Sequence, residues 1–247
     1  MDEELFVRDN ERVDDLQLSG LKLIQDPKAF CFGMDAVLLS GFVRVKPGES
    51  LLDMCTGNGI LPLLLSAKTE AGKICGIEIQ EQSAELAVRN VKMNGLEERI
   101  EIVRGDIREA GKYFRPASFD VISCNPPYIA GGRGLNNPDD ARTIARHEVL
   151  CTFSDVCKAA AFLLDNGGRL ALVHRPERVP ELIKTLGESR LEVKRMRFVY
   201  PYADREPAMV LIEAVKGGGI GARIEKPLII YESEGVYSKE IREDYGF

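Results

Sequence analysis

The sequence predicts an α/β fold with a mostly parallel sheet and helices on both of its faces. Between about residues 50 and 215, short apolar runs of strand length alternate with stretches of helix length. The chain has 247 residues, 45% of them hydrophobic and 29% charged, which is enough for one large domain of this class with extensions. Ligands of such sheets bind at the carboxyl ends of the strands, so the functional residues are expected in the loops that follow them.

Residues 1–30 are interpreted as an N-terminal extension that covers part of the domain. Leucines on both sides of Ser19-Gly20 predict a short hairpin there. An apolar run of helix length follows at residues 36–43, with Asp35 expected as its N-cap. The main domain is predicted over residues 31–215, and a glycine-rich C-terminal appendage over residues 216–247.

The elements of the main domain follow from apolar patterning and from the turn residues between them. Pro62 suits the first turn of a helix, and Asn94-Gly95 suits the end of the next one. Asn166-Gly167-Gly168 indicates a turn before a strand. Strands are predicted at residues 51–54, 73–79, 100–104, 119–124, 169–173, 191–200 and 208–215, and helices at residues 60–67, 82–93, 141–164 and 179–188.

The sequence indicates a cytoplasmic protein without a metal site. Met1-Asp2-Glu3-Glu4 is acidic and lacks the basic and apolar regions of a signal peptide, and no apolar run is long enough to cross a bilayer. The six cysteines form no C-x-x-C pair and mostly sit in apolar surroundings, as expected of reduced, packed thiols. Since there are only two histidines as well, no metal is expected.

The net charge of −6 argues mildly against a nucleic-acid partner, since proteins that hold phosphate backbones usually present a basic surface. Net charge reports only a sum, however, and basic residues gather in three clusters. A charge run is most often a solvated face, so each cluster is only a candidate phosphate contact. The clusters are Arg133, Arg142 and Arg146; Lys194, Arg195 and Arg197; and Lys216, Arg223 and Lys226.

A glycine loop, Asp53-Met54-Cys55-Thr56-Gly57-Asn58-Gly59, belongs to the end of the first predicted strand of the domain. It resembles a nucleotide-binding loop, since glycines let a ligand approach the backbone closely. In the dinucleotide fingerprint G-x-G-x-x-G, the third glycine allows tight helix packing, and Pro62 stands at that position here. This departure weakens the interpretation as a NAD site without excluding it.

Carboxylates end three successive strands: Asp53, Glu78 and Asp106. Glu78 is placed to accept both hydroxyls of a ribose, and Asp106 to accept from the amino group of an adenine. No basic residue is aimed at a pyrophosphate, so the set suits an adenosine ligand that carries positive charge, such as S-adenosylmethionine. Each carboxylate taken alone is more often a solvated strand end or a helix cap.

Asn125-Pro126-Pro127-Tyr128 directly follows the fourth predicted strand. Two consecutive prolines have fixed φ angles and no backbone N–H, so the strand ends there and its last carbonyls are left to accept hydrogen bonds. Asn125 adds a side-chain acceptor, and Tyr128 adds an aromatic face. These groups suit a planar group with an exocyclic amine, held by two acceptors and stacked on the ring. The alternative is a plain strand-ending turn.

These motifs, in this order, resemble those of class I S-adenosylmethionine-dependent methyltransferases of the branch that methylates amino groups. Four flanking segments are similar to bacterial tRNA(Val) adenine N6-methyltransferases, so the resemblance covers nearly the whole chain after about residue 20. It implies a Rossmann-like fold whose seven-stranded, mostly parallel sheet has an antiparallel last strand. The four segments are Phe32-Gly33-Met34-Asp35-Ala36-Val37-Leu38-Leu39, Ala145-Arg146-His147-Glu148, Val173-His174-Arg175-Pro176-Glu177-Arg178 and Lys216-Gly217-Gly218.

The resemblance also implies an activity, the transfer of a methyl group from S-adenosylmethionine to the N6 amine of adenine 37 in the anticodon loop of tRNA1(Val). Asn125 Oδ1 and the Pro126 carbonyl would accept the two hydrogens of the amine, and Tyr128 would stack on the base. His147, beside an acidic neighbour in a helix, is more often structural. The residues implied to bind the cofactor are Phe32, Gly33, Asp35, Asp53, Thr56, Gly57, Asn58, Gly59, Glu78, Ile79, Asp106, Ile107 and Asn125, and those implied to contact tRNA are Arg133, Arg142, Arg146, Lys216, Arg223 and Lys226.

Other functions stay open at this point. Protein glutamine N5-methyltransferases also use N-P-P-Y, because a glutamine amide offers the same planar NH₂ group, although a sizeable N-terminal helical domain is not seen in this sequence. An adenine of rRNA or DNA is another acceptor for the same chemistry. A non-catalytic adenosine-binding module or a NAD oxidoreductase would be a different class of protein, which Pro62 and the intact N-P-P-Y motif both disfavour.

Overall fold

The computed structural model of the chain describes residues 6–27, 33–126 and 151–245. An N-terminal hairpin and helix come first, the alternating strands and helices of the main domain follow, and short elements end the chain. Two 3₁₀ helices lie at Ile107–Lys112 and Pro176–Arg178. The other elements are β1 (Arg12–Asp15), β2 (Lys22–Gln25), α1 (Met34–Phe42), β3 (Ser50–Met54), α2 (Ile60–Lys68), β4 (Lys73–Glu78), α3 (Glu81–Met93), β5 (Ile100–Arg104), β6 (Phe119–Cys124), α4 (Phe153–Leu163), β7 (Leu164–His174), α5 (Val179–Glu188), β8 (Leu191–Tyr200), β9 (Met209–Lys216), β10 (Arg223–Ile224), β11 (Leu228–Ile229), β12 (Tyr231–Ser233), β13 (Val236–Tyr237) and α6 (Lys239–Tyr245).

The central sheet has its main strands in the order β5-β4-β3-β6-β7-β9-β8. Strands β3 to β7 pair in parallel, whereas β9 lies antiparallel to both of its neighbours. This confirms the Rossmann-like α/β fold with an antiparallel last strand in the seven-stranded core. Two short strands, β10 and β11, also pair in parallel with β8, so the sheet has nine strands in the described part of the chain.

The strands at the centre of the sheet are buried because helices cover both of its faces. Leu51 and Leu52 are neighbours in β3 but belong to two different core clusters, since successive side chains of a strand point to opposite faces. The Leu51 cluster includes buried residues of α1, α2 and α6, and the Leu52 cluster includes buried residues of α4 and α5. Burial on both faces explains why the strands appear in the sequence as apolar runs.

The N-terminal extension forms the predicted hairpin, with β1 and β2 paired antiparallel, and the hairpin is fixed to α3. The side-chain oxygen of Asn90 accepts from the backbone N–H of Ile24 at 2.6 Å, and its Nδ2 donates to the Ile24 carbonyl at 3.1 Å. Asn94 makes the same pair of bonds with the backbone of Lys22, at 2.9 and 2.7 Å. The extension therefore covers one side of α3, as expected.

The tail beyond residue 216, predicted as a loop-rich appendage, contributes to the sheet and to the core. β10 and β11 extend the sheet beside β8. Leu228, Ile230 and Ile241 are buried in the same cluster as α1 and α2. The division into three segments at residues 30 and 215 stays a prediction.

Three predicted element boundaries are wrong. Gly33 is the N-cap of α1, and Asp35 lies in the first turn of that helix. β7 begins at Leu164 because Asn166-Gly167-Gly168 forms an irregularity inside the strand, where its pairing with β6 shifts register. Of the helix predicted at residues 141–164, residues 141–150 lie outside the described residues, and α4 begins only at Phe153, after a capping box between Thr152 and Asp155.

None of the helices in residues 6–27, 33–126 and 151–245 is long and apolar enough to cross a membrane. In the same residues, no group of three or more His, Cys, Asp and Glu side chains could hold a metal ion. The described cysteines are free thiols: Cys55, Cys75, Cys124, Cys151 and Cys157.

Candidate cofactor and acceptor site

The predicted site residues that the structure describes follow neighbouring strands at the carboxyl edge of the sheet. Met54, the last residue of β3, is paired with Ile77 of β4 on one side and with Cys124 of β6 on the other. The segments that follow these three strands therefore begin side by side. They carry the glycine loop, Glu78 with its successors, and Asn125.

The glycine loop turns sharply from β3 into α2. Gly57 and Gly59 have φ angles of +58° and +83°, in the left-handed region that glycine tolerates best. A Cβ atom on Gly59 would lie 3.2 Å from the Cβ of Ala87 in α3, whereas one on Gly57 would meet nothing within 4 Å. In the dinucleotide fingerprint the third glycine allows close packing of the helix, and Pro62 stands at that position here. In this protein Gly59 makes the close contact instead, against α3. Gly57 leaves the loop open to a ligand.

Asp53 is buried beneath the glycine loop, and no cationic side chain among the described residues pairs with it. Its side chain accepts a 2.6 Å hydrogen bond from Ser123 Oγ at Oδ1. Its Oδ2, like Oγ1 of the buried Thr56, has no hydrogen-bond partner within the described part of the chain. Burial raises the pKa of Asp53 to about 7, and the Ser123 hydrogen bond opposes this shift. A cationic ligand beside the loop would supply the counter-charge that this carboxylate lacks.

Glu78 holds the glycine loop against the end of β4. The residue is buried, and its carboxylate accepts hydrogen bonds of 2.9 Å from the backbone N–H groups of Gly57 and Gln80. Each carboxylate oxygen keeps a further lone pair, so the predicted contacts to ribose hydroxyls remain available. Glu78 therefore shapes the loop as well as facing the predicted ligand.

Asp106 is already engaged in an ion pair. Arg108 Nη2 lies 2.5 Å from its Oδ2, and the Arg108 backbone N–H donates to its Oδ1 at 2.9 Å. The Arg108 hydrogen bond lowers the pKa of Asp106, so the group is a carboxylate at neutral pH. An adenine amino group would share this carboxylate with Arg108. Ile79 follows the end of β4 and is exposed, and Ile107 follows the end of β5 and is buried.

Asn125 is oriented by Asp35 of α1. Asn125 Nδ2 donates to Asp35 Oδ2 at 2.9 Å. Because a carboxylate can only accept, this bond identifies the amide nitrogen and leaves Oδ1 for a different donor. Asp35 Oδ1 accepts from the Ala36 backbone N–H, and a Cβ atom on Gly33 would come within 2.9 Å of that oxygen. Gly33 and Asp35 were expected among the cofactor residues. In the structure Asp35 contacts Asn125, and Gly33 lies against Asp35.

Part of the predicted acceptor side lies outside the described residues. Of the remaining basic candidates, Lys216 is at the edge of the sheet opposite to Asn125, where its Nζ donates to the Leu164 carbonyl at 2.7 Å. Arg223 and Lys226 lie beyond the outer strand β8, so none of the three is next to Asn125. Six residues named in the sequence analysis lie outside the described residues, and their roles stay predictions: Phe32, Tyr128, Arg133, Arg142, Arg146 and His147.

Sequence reasoning gave no role to three buried polar residues, two of which support Asp53 and the glycine loop. Ser123 holds Asp53, and Asn90 donates from Nδ2 to the Asn58 carbonyl at 2.9 Å, which ties the glycine loop to α3. His174 ends β7 and is buried, and this burial lowers its pKa to about 4, so the ring is neutral. Only Asn90 gave a signal, as a polar residue on the buried face of an amphipathic helix.

Comparisons with known proteins agree with this geometry. The family model described as "Methyltransferase small domain" matches residues 23–199. A tRNA1(Val) (adenine(37)-N6)-methyltransferase of Tolumonas auensis is 30% identical over 217 residues, which cover 87% of this chain and 88% of that protein. A protein of the same name from Porphyromonas gingivalis is 32% identical over 216 residues, 84% of each chain.

Solved structures share the fold. A predicted O-methyltransferase from Agrobacterium tumefaciens superposes with a TM-score of 0.71 at 22% identity, over 86% of this chain and 96% of that one. TYW2 of Pyrococcus horikoshii, solved in complex with MeSAdo, gives a TM-score of 0.60 at 18% identity, over 85% and 73% of the two chains. At these identities the likeness is one of fold.

Proposed function

Because the chain belongs to the methyltransferase small domain family, whose model matches residues 23–199, we propose that it methylates the exocyclic N6 amine of adenine 37 in tRNA1(Val). The methyl donor is S-adenosylmethionine. The two relatives described above carry this activity in their names, and the match covers most of their length. The structural observation that supports the proposal is the hydrogen bond from Asn125 Nδ2 to Asp35, which leaves the Asn125 amide oxygen to accept from a different donor.

The glycine loop and the strand ends fit S-adenosylmethionine. In the part of the chain that the structure describes, Asp53 is a buried carboxylate without a counter-charge, and the open side of Gly57 allows close approach to the backbone. Asp53 and residues 56–59 would hold the charged part of the cofactor, and Glu78, Ile79, Asp106 and Ile107 would hold its adenosine. When bound, S-adenosylmethionine supplies an activated methyl group.

Asn125 and Pro126 prepare the acceptor nitrogen. The N6 amine of adenine is a poor nucleophile, because its lone pair is delocalised into the ring. Asn125 Oδ1 would accept one amine hydrogen and the Pro126 carbonyl the other, which favours a pyramidal nitrogen with a localised lone pair. Since Asp35 holds Nδ2 of Asn125, the amide presents its acceptor without rotating. The contribution of these groups is one of positioning and electrostatics.

No strong general base is required by this mechanism. The amine proton would become acidic only as the N–C bond forms and positive charge develops on nitrogen, and it would then pass to water. The bond from the methyl carbon to sulfur would break in the same step, leaving S-adenosylhomocysteine. Asn125 Oδ1 and the Pro126 carbonyl stabilise that charge through the hydrogen bonds they already accept. Stacking of Tyr128 on the target base, which lies in an anticodon loop and so is unpaired, remains a prediction from the motif.

The Asn125→Ala variant tests the acceptor role. We expect methyl transfer to tRNA to fall by about 100- to 1000-fold, because the group that holds the amine is lost, while S-adenosylhomocysteine binds as in the wild type. Tritiated-methyl transfer and calorimetry measure the two quantities, with the exposed Asn166→Ala as the control. Full activity of Asn125→Ala would exclude the proposed role.

A second experiment identifies the acceptor class. Total tRNA, rRNA, DNA and a release factor are offered in parallel with tritiated S-adenosylmethionine, and label is expected in tRNA. Label confined to the release factor, rRNA or DNA would show that tRNA is not the methyl acceptor. The proposal that S-adenosylmethionine is the methyl donor would still hold. In calorimetry, S-adenosylhomocysteine should bind and NAD should not, and Glu78→Ala should weaken that binding, because the Gly57 N–H loses its acceptor.

A further inference from the structure

Three cysteine thiols meet between the cofactor half and the acceptor half of the site. Cys55 belongs to the glycine loop, Cys124 ends β6 directly before Asn125, and Cys151 directly precedes the N-cap of α4. Cys124 is buried in the core cluster that includes α4, and the other two pack against that cluster. The thiol of Cys55 interacts with both of the others. The proposed methyl transfer uses none of the three.

Cys55 and Cys151 are the two thiols that a solute can reach. Of the five cysteines that the structure describes, these two are half-buried, whereas Cys75, Cys124 and Cys157 are buried. The interaction between Cys55 and Cys151 thus joins two accessible sulfur atoms.

The backbone of Cys55 is strained. Its φ angle is +59°, in the left-handed region that L side chains rarely adopt. The same loop uses glycine at its two other left-handed positions, Gly57 and Gly59, where the strain is absent. Strain of this kind at a functional site points to a use for the side chain that causes it.

We propose that Cys55 and Cys151 form a reversible disulfide when the protein meets a peroxide. One thiol would be oxidised to a sulfenic acid as the O–O bond of the peroxide breaks, and the other sulfur would then displace the hydroxyl group as water. The two thiols lose two electrons and two protons in total, and one hydrogen peroxide becomes two molecules of water. A disulfide at a strained and accessible position is of the labile kind that a thiol reductant reopens.

The thiol interactions keep the pair reduced under mild conditions. Interaction with Cys124 raises the pKa of Cys55, and interaction with Cys55 raises the pKa of Cys151. Both thiols are therefore protonated at neutral pH, and the thiolate is the form that reacts. The bond would thus form slowly and only while peroxide is sustained.

The disulfide would connect the cofactor loop to the base of α4. Cys55 lies between Asp53 and Thr56, and Cys151 interacts electrostatically with Asp106. Drawing these sulfurs together would narrow the space predicted for the adenosine. We expect the oxidised protein to bind S-adenosylhomocysteine at least tenfold more weakly and to lose methyl transfer. Only the loss of methyl transfer rests on the proposed function.

The experiment treats the full chain with hydrogen peroxide and blocks the remaining thiols by alkylation. Peptide mapping should find Cys55 joined to Cys151, and calorimetry should show the weakened S-adenosylhomocysteine binding, with both changes reversed by dithiothreitol. After peroxide, Cys151→Ser and Cys55→Ser should each keep the affinity of their own reduced form. The control Cys75→Ala removes a buried thiol that does not interact with the other cysteines, and it should respond to peroxide as the wild type does.

The proposal is overturned if peptide mapping finds no disulfide or joins other cysteines. It is equally overturned if peroxide weakens cofactor binding in Cys151→Ser as much as in the wild type. Each variant is compared with its own reduced form, so a substitution that by itself weakens binding does not confuse the result. If the reduced wild type methylates no acceptor, the proposed function fails, whereas peptide mapping and calorimetry still decide the disulfide.

Discussion

The cofactor half and the acceptor half of the site are held in different ways. On the cofactor side, Glu78 binds two backbone N–H groups, and Asn90 and Gly59 fix the glycine loop to α3. On the acceptor side, within the described residues, one side-chain hydrogen bond, from Asn125 to Asp35, sets the direction of the amide that we propose holds the acceptor amine. The cofactor half has several redundant supports, whereas the acceptor half can lose its orientation through one substitution.

The sharpest way to separate the two halves is to change Asp35. In Asp35→Ala the Asn125 amide loses the group that fixes its Nδ2, so we expect kcat to fall by about 100-fold and binding of S-adenosylhomocysteine to stay unchanged. Asp35→Asn should lose less, because an amide oxygen can still accept from Nδ2. Steady-state kinetics and calorimetry check both, with the exposed Asp204→Asn as control. Weaker cofactor binding at unchanged kcat would show that Asp35 supports the cofactor and not Asn125.

Two glycines of the same loop test the supports of the cofactor half. Both Gly57 and Gly59 have positive φ, so alanine costs about 1 kcal/mol of backbone strain at either position. Only the Gly59 Cβ would crowd Ala87, so Gly59→Ala should lower the free energy of unfolding by about 2 kcal/mol and Gly57→Ala by about half of that. Urea denaturation measures this. Gly57→Ala should weaken S-adenosylhomocysteine binding more than Gly59→Ala does, because its methyl group would occupy the open side of the loop. The reverse ranking would contradict the proposal that the ligand lies against Gly57.

The pH dependence of cofactor binding tests Asp53. With a pKa of about 7, Asp53 is mostly protonated at pH 6 and mostly ionised at pH 8, and only the ionised form attracts a cation. The affinity for S-adenosylmethionine should therefore rise by up to about tenfold between these pH values, and the rise should be absent in Asp53→Asn. Calorimetry in buffers of different ionisation enthalpy would also detect the proton released on binding at pH 6.

The same group makes the free protein less stable as the pH rises. The pKa of Asp53 is raised on folding, from about 4 in the unfolded chain to about 7, so the unfolded state loses its proton first. The contribution of Asp53 to stability is thus fully present below pH 4 and is lost between pH 4 and pH 7. Ser123→Ala should enlarge this loss, because the Ser123 hydroxyl favours the carboxylate.

The sequence could predict the strands and the strand-end residues because both are local features. A parallel strand that is buried on both faces is an apolar run. Asp53 and Glu78 lie at the carboxyl ends of such runs, and Asn125 directly follows one. The position of Asp35 could not be settled in this way, since an aspartate suits both an N-cap and the first turn of a helix. The structure places it in the first turn.

The contacts that complete the site join residues far apart in the chain. Asn125 and Asp35 are separated by 90 positions, Ser123 and Asp53 by 70, and Asn90 and Ile24 by 66. Pairings of this range depend on the folded sheet and leave no local pattern. The two-residue strands β10 and β11 were missed for the opposite reason, because two residues are too few to show a period.

The amide of Asn90 links the N-terminal hairpin to the cofactor loop through its three polar bonds. It accepts from Ile24, donates to Ile24 and donates to Asn58, so docking of the hairpin and order of the loop share one side chain. Coupling of this kind is reciprocal: the free energy by which an ordered loop favours hairpin docking equals the free energy by which the docked hairpin favours an ordered loop. We therefore expect hydrogen exchange of the Ile24 backbone N–H to slow when the cofactor binds at the glycine loop, because Asn90 contacts both segments.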